Sequence, residues 1–499
     1  MAEKYILALD QGTSSCRALL FDKTAKVIGI EQQEFTQIFP CAGWVEHDPE
    51  EIFEVQMRTA KKVLANNNIS PQQIEAIGIA NQRETTVVWN KHTGIPICNA
   101  IVWQDTRTID ICEELKKKGY DNYIKETTGL IVDSYFSATK LRWILANIKD
   151  AKEKAMNGDL LFGTIDTWLI WKLTGGKYHL TDYSNASRTM LYNISTLQWD
   201  EKLLAAFDIP KTMLPDVIDS SAFYGKTTLS YFDGVEISIT GVAGDQQAAL
   251  FGHTCFEAGM AKNTYGTGCF MLMNTGTKRV SSSHGLLTTI AWSLNGNITY
   301  ALEGSIFIAG AAIKWLRDEM KIIRSSVESS DMAKKIIDTG GVYFVPAFSG
   351  LGAPYWDMYA KGMITGITRG TGIKEITRAA LESIAYQTRD VLEAMVKDSG
   401  IDIKCLKVDG GAANNDFLMQ FQSDMLSVLV EKPENIESTA LGVAYLAGLC
   451  TGFWTIEEIM KFNESNKSYQ PSLNTIKREN LYEGWKHAVN RTKTKQDKL

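Results

Sequence analysis

The chain has 499 residues, enough for two or three domains each burying its own core. Hydrophobic residues are 44% and charged residues 22%, ordinary globular usage that excludes disorder as the overall state. With 52 Lys and Arg against 58 Asp and Glu, the net charge of −6 excludes the basic excess of a nucleic-acid-binding surface.

From the N-terminus, residues 6–10, 18–22 and 27–35 read as three short strands joined by tight polar turns, an antiparallel meander. The first turn, Asp10-Gln11-Gly12-Thr13-Ser14-Ser15, has the composition of a phosphate cradle. Gly12 lets the backbone approach a ligand, and Thr13, Ser14 and Ser15 offer hydroxyl and amide donors. Asp10 at the strand end is placed to hold Mg²⁺, directly or through water, and Arg17 to pair with a phosphoryl oxygen. An ordinary hairpin turn uses the same residue types. A helix is expected over 50–66, then strands at 75–80 and 85–89 flanking Asn81-Gln82-Arg83-Glu84. On a turn, Arg83 and Glu84 can point the same way and offer forked donors and a charged acceptor to vicinal hydroxyls; the plain alternative is a surface ion pair. Trp103 and Tyr135 are candidates to cover the carbon face of a polyol if they line the same cleft, and core residues otherwise. Residues 237–240 read as a strand running into Gly241-Val242-Ala243-Gly244 and a helix that starts at Asp245-Gln246. Asp245 is then either a helix N-cap or a carboxylate at a glycine-walled cleft, able to take a proton from a hydroxyl.

The middle of the chain repeats the opening, with strands at 260–264, 270–274, 286–291 and 299–303 and Gly266-Thr267-Gly268 in the first turn. Phe270 joins the aromatic candidates. Helices are expected over 310–319 and 374–397. A third glycine-bearing turn, Asp409-Gly410-Gly411-Ala412, separates a strand at 405–408 from a helix over 415–427. It suits a backbone lying flat against adenine or ribose, or a tight strand-to-helix connection. Residues 451–499 turn charged and helical and are expected to pack on the second domain. The inferred fold class is α/β: two domains, 1–252 and 253–499, each with a mixed sheet, sharing a cleft lined by Gly/Ser/Thr turns.

Other chemistries lack their signatures. There is no Gly-x-x-x-x-Gly-Lys-Ser/Thr, no protein-kinase motif set, no His-Glu-x-x-His and no Cys-x-x-Cys. The scattered cysteines read as reduced, cytosolic thiols. No stretch approaches the ~20 apolar residues of a membrane span, and the apolar run at 5–9 is too short for a signal peptide.

The ordered set 9–15, 43–49 (GWVEHDP), 81–86 (NQRETT), 100–104, 162–171 (FGTIDTWLIW), 181–190, 241–252, 259–276, 343–356 and 408–412 resembles the FGGY carbohydrate kinase family of the sugar-kinase/Hsp70/actin ATPase superfamily. The resemblance covers residues 4–485. It implies two ribonuclease-H-like domains of the actin/hexokinase type. It also implies ATP-dependent phosphorylation of glycerol to sn-glycerol 3-phosphate with Mg²⁺, in the cytoplasm, by a homodimer or homotetramer. Carried over by position, Arg83, Glu84, Tyr135, Asp245 and Gln246 match the acceptor ligands, with Trp103 and Phe270 as the apolar wall. Asp245 matches the catalytic base and Asp10 the Mg²⁺-associated carboxylate; Thr13, Ser14, Ser15, Arg17, Thr267, Gly310, Gly411 and Asn415 match the nucleotide site. Lys314 stands where the family often has Gln, which leaves its role open. Some relatives are activated by phosphorylation of a His in the loop before residue 241; Tyr231 stands there, so that activation is not expected. Two rival readings are a kinase for a pentulose, gluconate or larger polyol, and a nucleotide-switched protein of the actin or chaperone type. The bulk of Trp103 and Phe270 argues against the first, and the Arg83-Glu84 pair with a cleft Asp against the second.

Overall fold

A computed structural model describes residues 3–434, 436–462 and 465–494. The opening alternation of apolar residues becomes an antiparallel meander of β1 (Tyr5–Gln11), β2 (Ser15–Phe21) and β3 (Val27–Glu34). Three more strands, β4 (Ile74–Asn81), β5 (Ser221–Lys226) and β6 (Ser238–Gly244), complete a sheet of order β5-β6-β4-β1-β2-β3. β4 runs parallel to β1 and β6 parallel to β4, with Gln11 opposite Asn81 and Asn81 opposite Gly244. Three strand ends therefore reach one edge together, the place where parallel sheets carry ligands. The strand expected to stop at residue 240 continues to Gly244, because its glycines pair in the ladder.

Helices α1 (Pro49–Asn66) and α2 (Ile165–Leu173) cover one face of this sheet around Trp89 and Trp168. Asp48 caps α1 by accepting from the Glu50 amide. The expected strand at 85–89 leaves the main sheet: Val87–Asn90 pairs with Leu160–Gly163, beside a separate helical cluster built around Phe136, Leu141 and Phe207.

The second sheet contains β7 (Met260–Tyr265), β8 (Cys269–Gly276), β9 (Leu287–Leu294), β10 (Asn297–Ile306), β11 (Cys405–Asp409), β12 (Leu429–Pro433) and β13 (Ser465–Tyr469), in the order β9-β10-β8-β7-β11-β12-β13. It departs from a simple meander, since β8 pairs with β10 and leaves β9 at the edge. Asn295 and Gly296, both at positive φ, close β9 and β10 into a tight hairpin that docks through its second strand. β7 and β11 are parallel, with Thr264 opposite Asp409, so this sheet repeats the strand-end edge of the first.

Further helices include α3 (Asp245–Gly252), α4 (Gly310–Asp318), α5 (Ile373–Ser399), α6 (Asp416–Leu426), α7 (Ser438–Thr451) and α8 (Thr475–Thr492). α4, α5, α6 and α8 pack on the second sheet, where Tyr386 stacks on Trp485. α7 falls between β12 and β13 of the second sheet in sequence yet lies on the first, its apolar residues clustering with Ile6, Ala8 and Ala80. It crosses α3 at backbone contact: a Cβ on Gly442 would overlap the Ala248 carbonyl, and one on Gly252 the Ser438 carbonyl. Trp454, just past α7, joins the same cluster and donates from Nε1 to the Lys23 carbonyl at 2.8 Å. The tail beyond residue 451 thus starts on the first sheet and reaches the second only with β13 and α8. The apolar helix α7 that precedes it, buried nearly all round, draws these residues with it. Among the described residues no helix is long and apolar enough to cross a membrane.

Candidate active site

At the end of β4 the chain turns through Glu84, whose φ of +62° swings Arg83 and Glu84 into the interior, 3% and 1% exposed. The surface ion-pair alternative is therefore excluded. Arg83 donates to Glu303 through Nη1 (2.5 Å to Oε2) and Nη2 (3.2 Å to Oε1), and its Nε lies 3.1 Å from Asp245 Oδ1. Arg188 donates through Nε to Glu84 Oε1 at 2.6 Å and through Nη2 to Glu303 Oε1 at 3.1 Å. Two arginines and two glutamates thus form a closed, buried network with Glu303 supplied by the second sheet. Burial pushes the Glu303 carboxyl up, but Arg188 and Arg83 outweigh it and hold the group at about 2. Glu84, with weaker compensation from the same arginines, is pushed up by burial.

Trp103 and Tyr135 meet edge to face at 5.5 Å, and the Arg188 guanidinium lies 5.7 Å from the Tyr135 ring centre. Burial pushes the Tyr135 phenol up, so it remains a donor. The buried Lys140 ammonium donates to the carbonyls of Ser134 (2.5 Å) and Tyr135 (2.7 Å) and fixes this loop. Trp103 Nε1 donates to Thr13 Oγ1 at 3.0 Å, which brings the aromatic pair to the first glycine-bearing turn. Phe270, opposite Thr264 and Ser305, shares its sheet face with Lys262 and Glu303.

Asp245 is the first residue of α3, with Gly244 in the cap position, so its side chain is not the N-cap. Its Oδ1 accepts from the Gln246 amide at 2.7 Å as well as facing Arg83, and its Oδ2 accepts from Gln246 Nε2 at 3.2 Å. Its side chain is 32% exposed, against 0–2% for Arg83, Glu84 and Glu303, and it is the carboxylate of the group that opens to solvent.

The first glycine-bearing turn is closed by the Gly12 amide on the Ser15 carbonyl at 2.9 Å, with Thr13 half-buried, Ser14 exposed and Ser15 Oγ accepting from Gln32. Burial pushes the Asp10 carboxyl up; Arg17, 3.7 Å away, opposes this and Asp245 adds to it. The second turn docks on the start of α4, with Ala309 donating to Thr267 O at 2.9 Å and Gly310 to Gly266 O at 3.1 Å. In the third, Gly410 (φ +85°) presses on the Tyr265 carbonyl while Gly411 faces open space, and Asn415 caps α6 by accepting from Leu418 N at 3.1 Å. Lys314 is exposed on α4. An ion pair from Arg17 to Glu437, and the Ser438 hydroxyl on Asp409, join the first turn to the third. His253 Nε2, 2.9 Å from Asp409, completes that link. Burial raises the Asp409 carboxyl, but His253, Lys262 and the Ser438 hydroxyl together outweigh it and hold the group at about 2.

Arg188, Glu303, Lys262, His253 and Glu437 were not among the residues singled out by the sequence. For two of them a signal was present: Lys262 and Glu303 are lone charges inside otherwise uncharged strands.

Two mixed sheets, each ending in glycine-bearing turns on a common cleft with a carboxylate and buried arginines between them, define a two-domain fold of the actin/hexokinase class. The N-terminal domain of the FGGY family of carbohydrate kinases matches residues 5–252, and its C-terminal domain matches residues 261–450. The chain belongs to the FGGY family of carbohydrate kinases. It is 62% identical over 490 residues to the glycerol kinase of Alkaliphilus metalliredigens and 64% identical over 489 residues to that of Thermoanaerobacter pseudethanolicus, covering 98% of both chains in each pair. Among solved structures it is similar to Plasmodium falciparum glycerol kinase with ADP, with a TM-score of 0.93, 38% identity and 98% of each chain covered. The gluconate kinase of Lactobacillus acidophilus, at 22% identity and a TM-score of 0.88 over 98% of each chain, shares the fold.

Proposed function

We propose that this chain transfers the γ-phosphoryl group of ATP to a terminal hydroxyl of glycerol, giving ADP and sn-glycerol 3-phosphate. The observation that carries the reading is the group Arg83, Asp245 and Gln246, joined to Glu84 through Glu303 and Arg188 and set beside Thr13 of the first glycine-bearing turn through Trp103 and Tyr135. Identity above 60% to glycerol kinases over nearly the whole chain supports it.

In this reading Glu84 accepts from one hydroxyl through the oxygen that Arg188 leaves free, while Arg83, Tyr135 and Gln246 supply donors. Trp103 and Phe270 cover the carbon backbone. Asp245 accepts the proton of the attacking hydroxyl as its oxygen bonds the γ-phosphorus and the bond to the ADP oxygen breaks. The nucleotide lies across Thr13, Ser14, Ser15 and Arg17 on one side and Thr267, Gly310, Gly411 and Asn415 on the other. The open space at Gly411 leaves room for a flat ring.

Mg²⁺ fits the donor set: Asp10 and Asp245 repel one another across the cleft, and a divalent ion needs only one or two carboxylates besides phosphate oxygens and water. Asp10 would hold it, and it would neutralise charge on the phosphates. The chain divides at 252/253 into two domains whose closure excludes water from the transferred group. The reading extends to a cytoplasmic homodimer or homotetramer.

A coupled ADP-release assay over glycerol, dihydroxyacetone, glyceraldehyde, gluconate and pentuloses tests the proposal. The highest kcat/KM is expected for glycerol; a higher value for any pentulose or for gluconate would overturn it.

A further inference from the structure

We propose that Lys262 is a positioning residue for the transfer: it grips the side-chain amide of Gln246, and through it the Asp245 carboxylate, from the strand that carries the second phosphate turn. The inference rests on the reading of Asp245 as the base.

The geometry begins with strand register. Lys262 on β7 lies opposite Leu272 on β8, which lies opposite Glu303 on β10, so a lysine and a glutamate stand in one row on the same face of the second sheet. Both reach across the cleft to acceptor residues of the first half. Glu303 takes Arg83, and Lys262 Nζ donates to Gln246 Oε1 and, at 3.0 Å, to Thr264 Oγ1. With its oxygen taken by an ammonium, the Gln246 amide can present only its NH₂ to Asp245, and it donates from Nε2 to Oδ2 at 3.2 Å. The carboxylate is thereby held on both oxygens, by Arg83 and the Gln246 backbone on Oδ1 and by the Gln246 side chain on Oδ2. Three residues beyond Lys262, β7 ends at Tyr265 and runs directly into Gly266-Thr267-Gly268. One strand therefore carries both the turn that would hold donor phosphate and the hand on the base, and a shift of either moves the other.

Burying an ammonium is costly unless it is paired and hydrogen-bonded. Lys262 is fully buried, and the charged groups around it are Asp409 at the end of β11, Asp245 on α3, Glu303 on β10 and Arg83 on the turn after β4. Burial lowers the ammonium to about 8, with Asp409 and Asp245 opposing. Above that pH the charge-assisted bond to Gln246 weakens.

The test is a double-mutant cycle read by steady-state kinetics on the full chain. Glycerol turnover by the unsubstituted protein comes first; its absence would overturn the reading of the acceptor and this proposal with it, whereas turnover with unaffected variants overturns this proposal alone. In Lys262→Met, kcat is expected to fall about ten- to a hundred-fold and KM for glycerol to rise, with KM for ATP little changed, as for a misplaced reacting group. In the Gln246→Leu background the same substitution should add nothing, because the coupling runs through that amide. Independent, additive losses would overturn the proposal, as would wild-type kinetics in Lys262→Met. If thermal unfolding shows Lys262→Met to be misfolded, pH profiles decide: kcat/KM for glycerol should fall above about pH 8 in the unsubstituted protein and lack that limb in Gln246→Leu. A limb that persists in Gln246→Leu overturns the proposal.

Discussion

Asp245 receives Arg83 and two donors from Gln246, and none of these contacts is a helix cap. Asp245→Asn keeps the shape and one acceptor oxygen at a partly exposed position, so the fold should survive with little loss. General-base contributions are typically about 10²–10⁴-fold, and kcat is expected to fall by that much while ATP still binds. A variant retaining more than about a tenth of wild-type kcat would contradict the base assignment. Arg83 behaves differently, because most of its guanidinium is committed to Glu303 and Asp245 rather than free for a ligand. Breaking a buried pair costs about 3–5 kcal/mol, and since Arg188 stays on Glu303 the loss in Arg83→Ala should sit near 3 kcal/mol. Losing a charged donor costs about 1.5–3 kcal/mol of binding, so KM for glycerol should rise by roughly one to two powers of ten. Kinetics and denaturant titration on the same preparation check both halves; an unchanged KM would remove Arg83 from the acceptor site. At this scale Arg83, Glu84 and Asp245 were legible because they follow strand ends in polar or glycine-rich turns. Arg188 was not, since its partners Glu84 and Glu303 lie 104 and 115 residues away.

Among the elements, α3 and α7 carry the joint between the two halves. α3 starts at the candidate base, and the first residue of α7, Ser438, bonds Asp409 beside the third glycine-bearing turn. Their crossing depends on bare backbone at Gly442 and Gly252. Gly442→Ala should force the helices apart at an overpacking cost of about 1–3 kcal/mol and raise KM for ATP, because Asp409 and Arg17 are linked through the start of α7. Thermal and denaturant midpoints together with KM for ATP measure it; a variant indistinguishable from wild type would show that this contact does not govern the joint. The strands of both repeats and the helices α1 and α5 followed from local pattern, the two helices to within about two residues at each end. The pairing of β8 with β10 and the seat of α7 on the first sheet did not, because neither periodicity nor turn chemistry records which edge or face an element will find.

For the whole molecule, Glu303 ties the second sheet to Arg83 and Arg188 of the first half, and its ionisation links acidity to stability. Its carboxyl is held at about 2 against an ordinary 4.5, and that of Asp409 at about 2 against 3.8. Both are depressed carboxylates, so the unfolded chain binds more protons as the pH drops. Their stabilisation is complete above about pH 4.5 and is lost as the pH falls toward 2. Urea midpoints measured from pH 3 to 6 should fall steeply below pH 4.5 in the wild type. Glu303→Gln should start lower and lose less over the same range; an equally steep acid limb would mean that Glu303 does not carry it.

The sequence by itself determined the two strand repeats, the three glycine-bearing turns, the chemistry of the residues in them and the family resemblance that orders them, because alternation, turn composition and motif spacing are written within a few neighbouring residues. Only the tertiary structure decided that the candidate acceptor group is finished from the far half of the chain. Arg83 meets Glu303 across 220 residues, and Gln246 meets Lys262 from another sheet. Those pairings depend on strand register and on the crossing of two glycine-bearing helices, and they are stable only because folding removes both partners from water together, a condition that no local stretch of sequence contains.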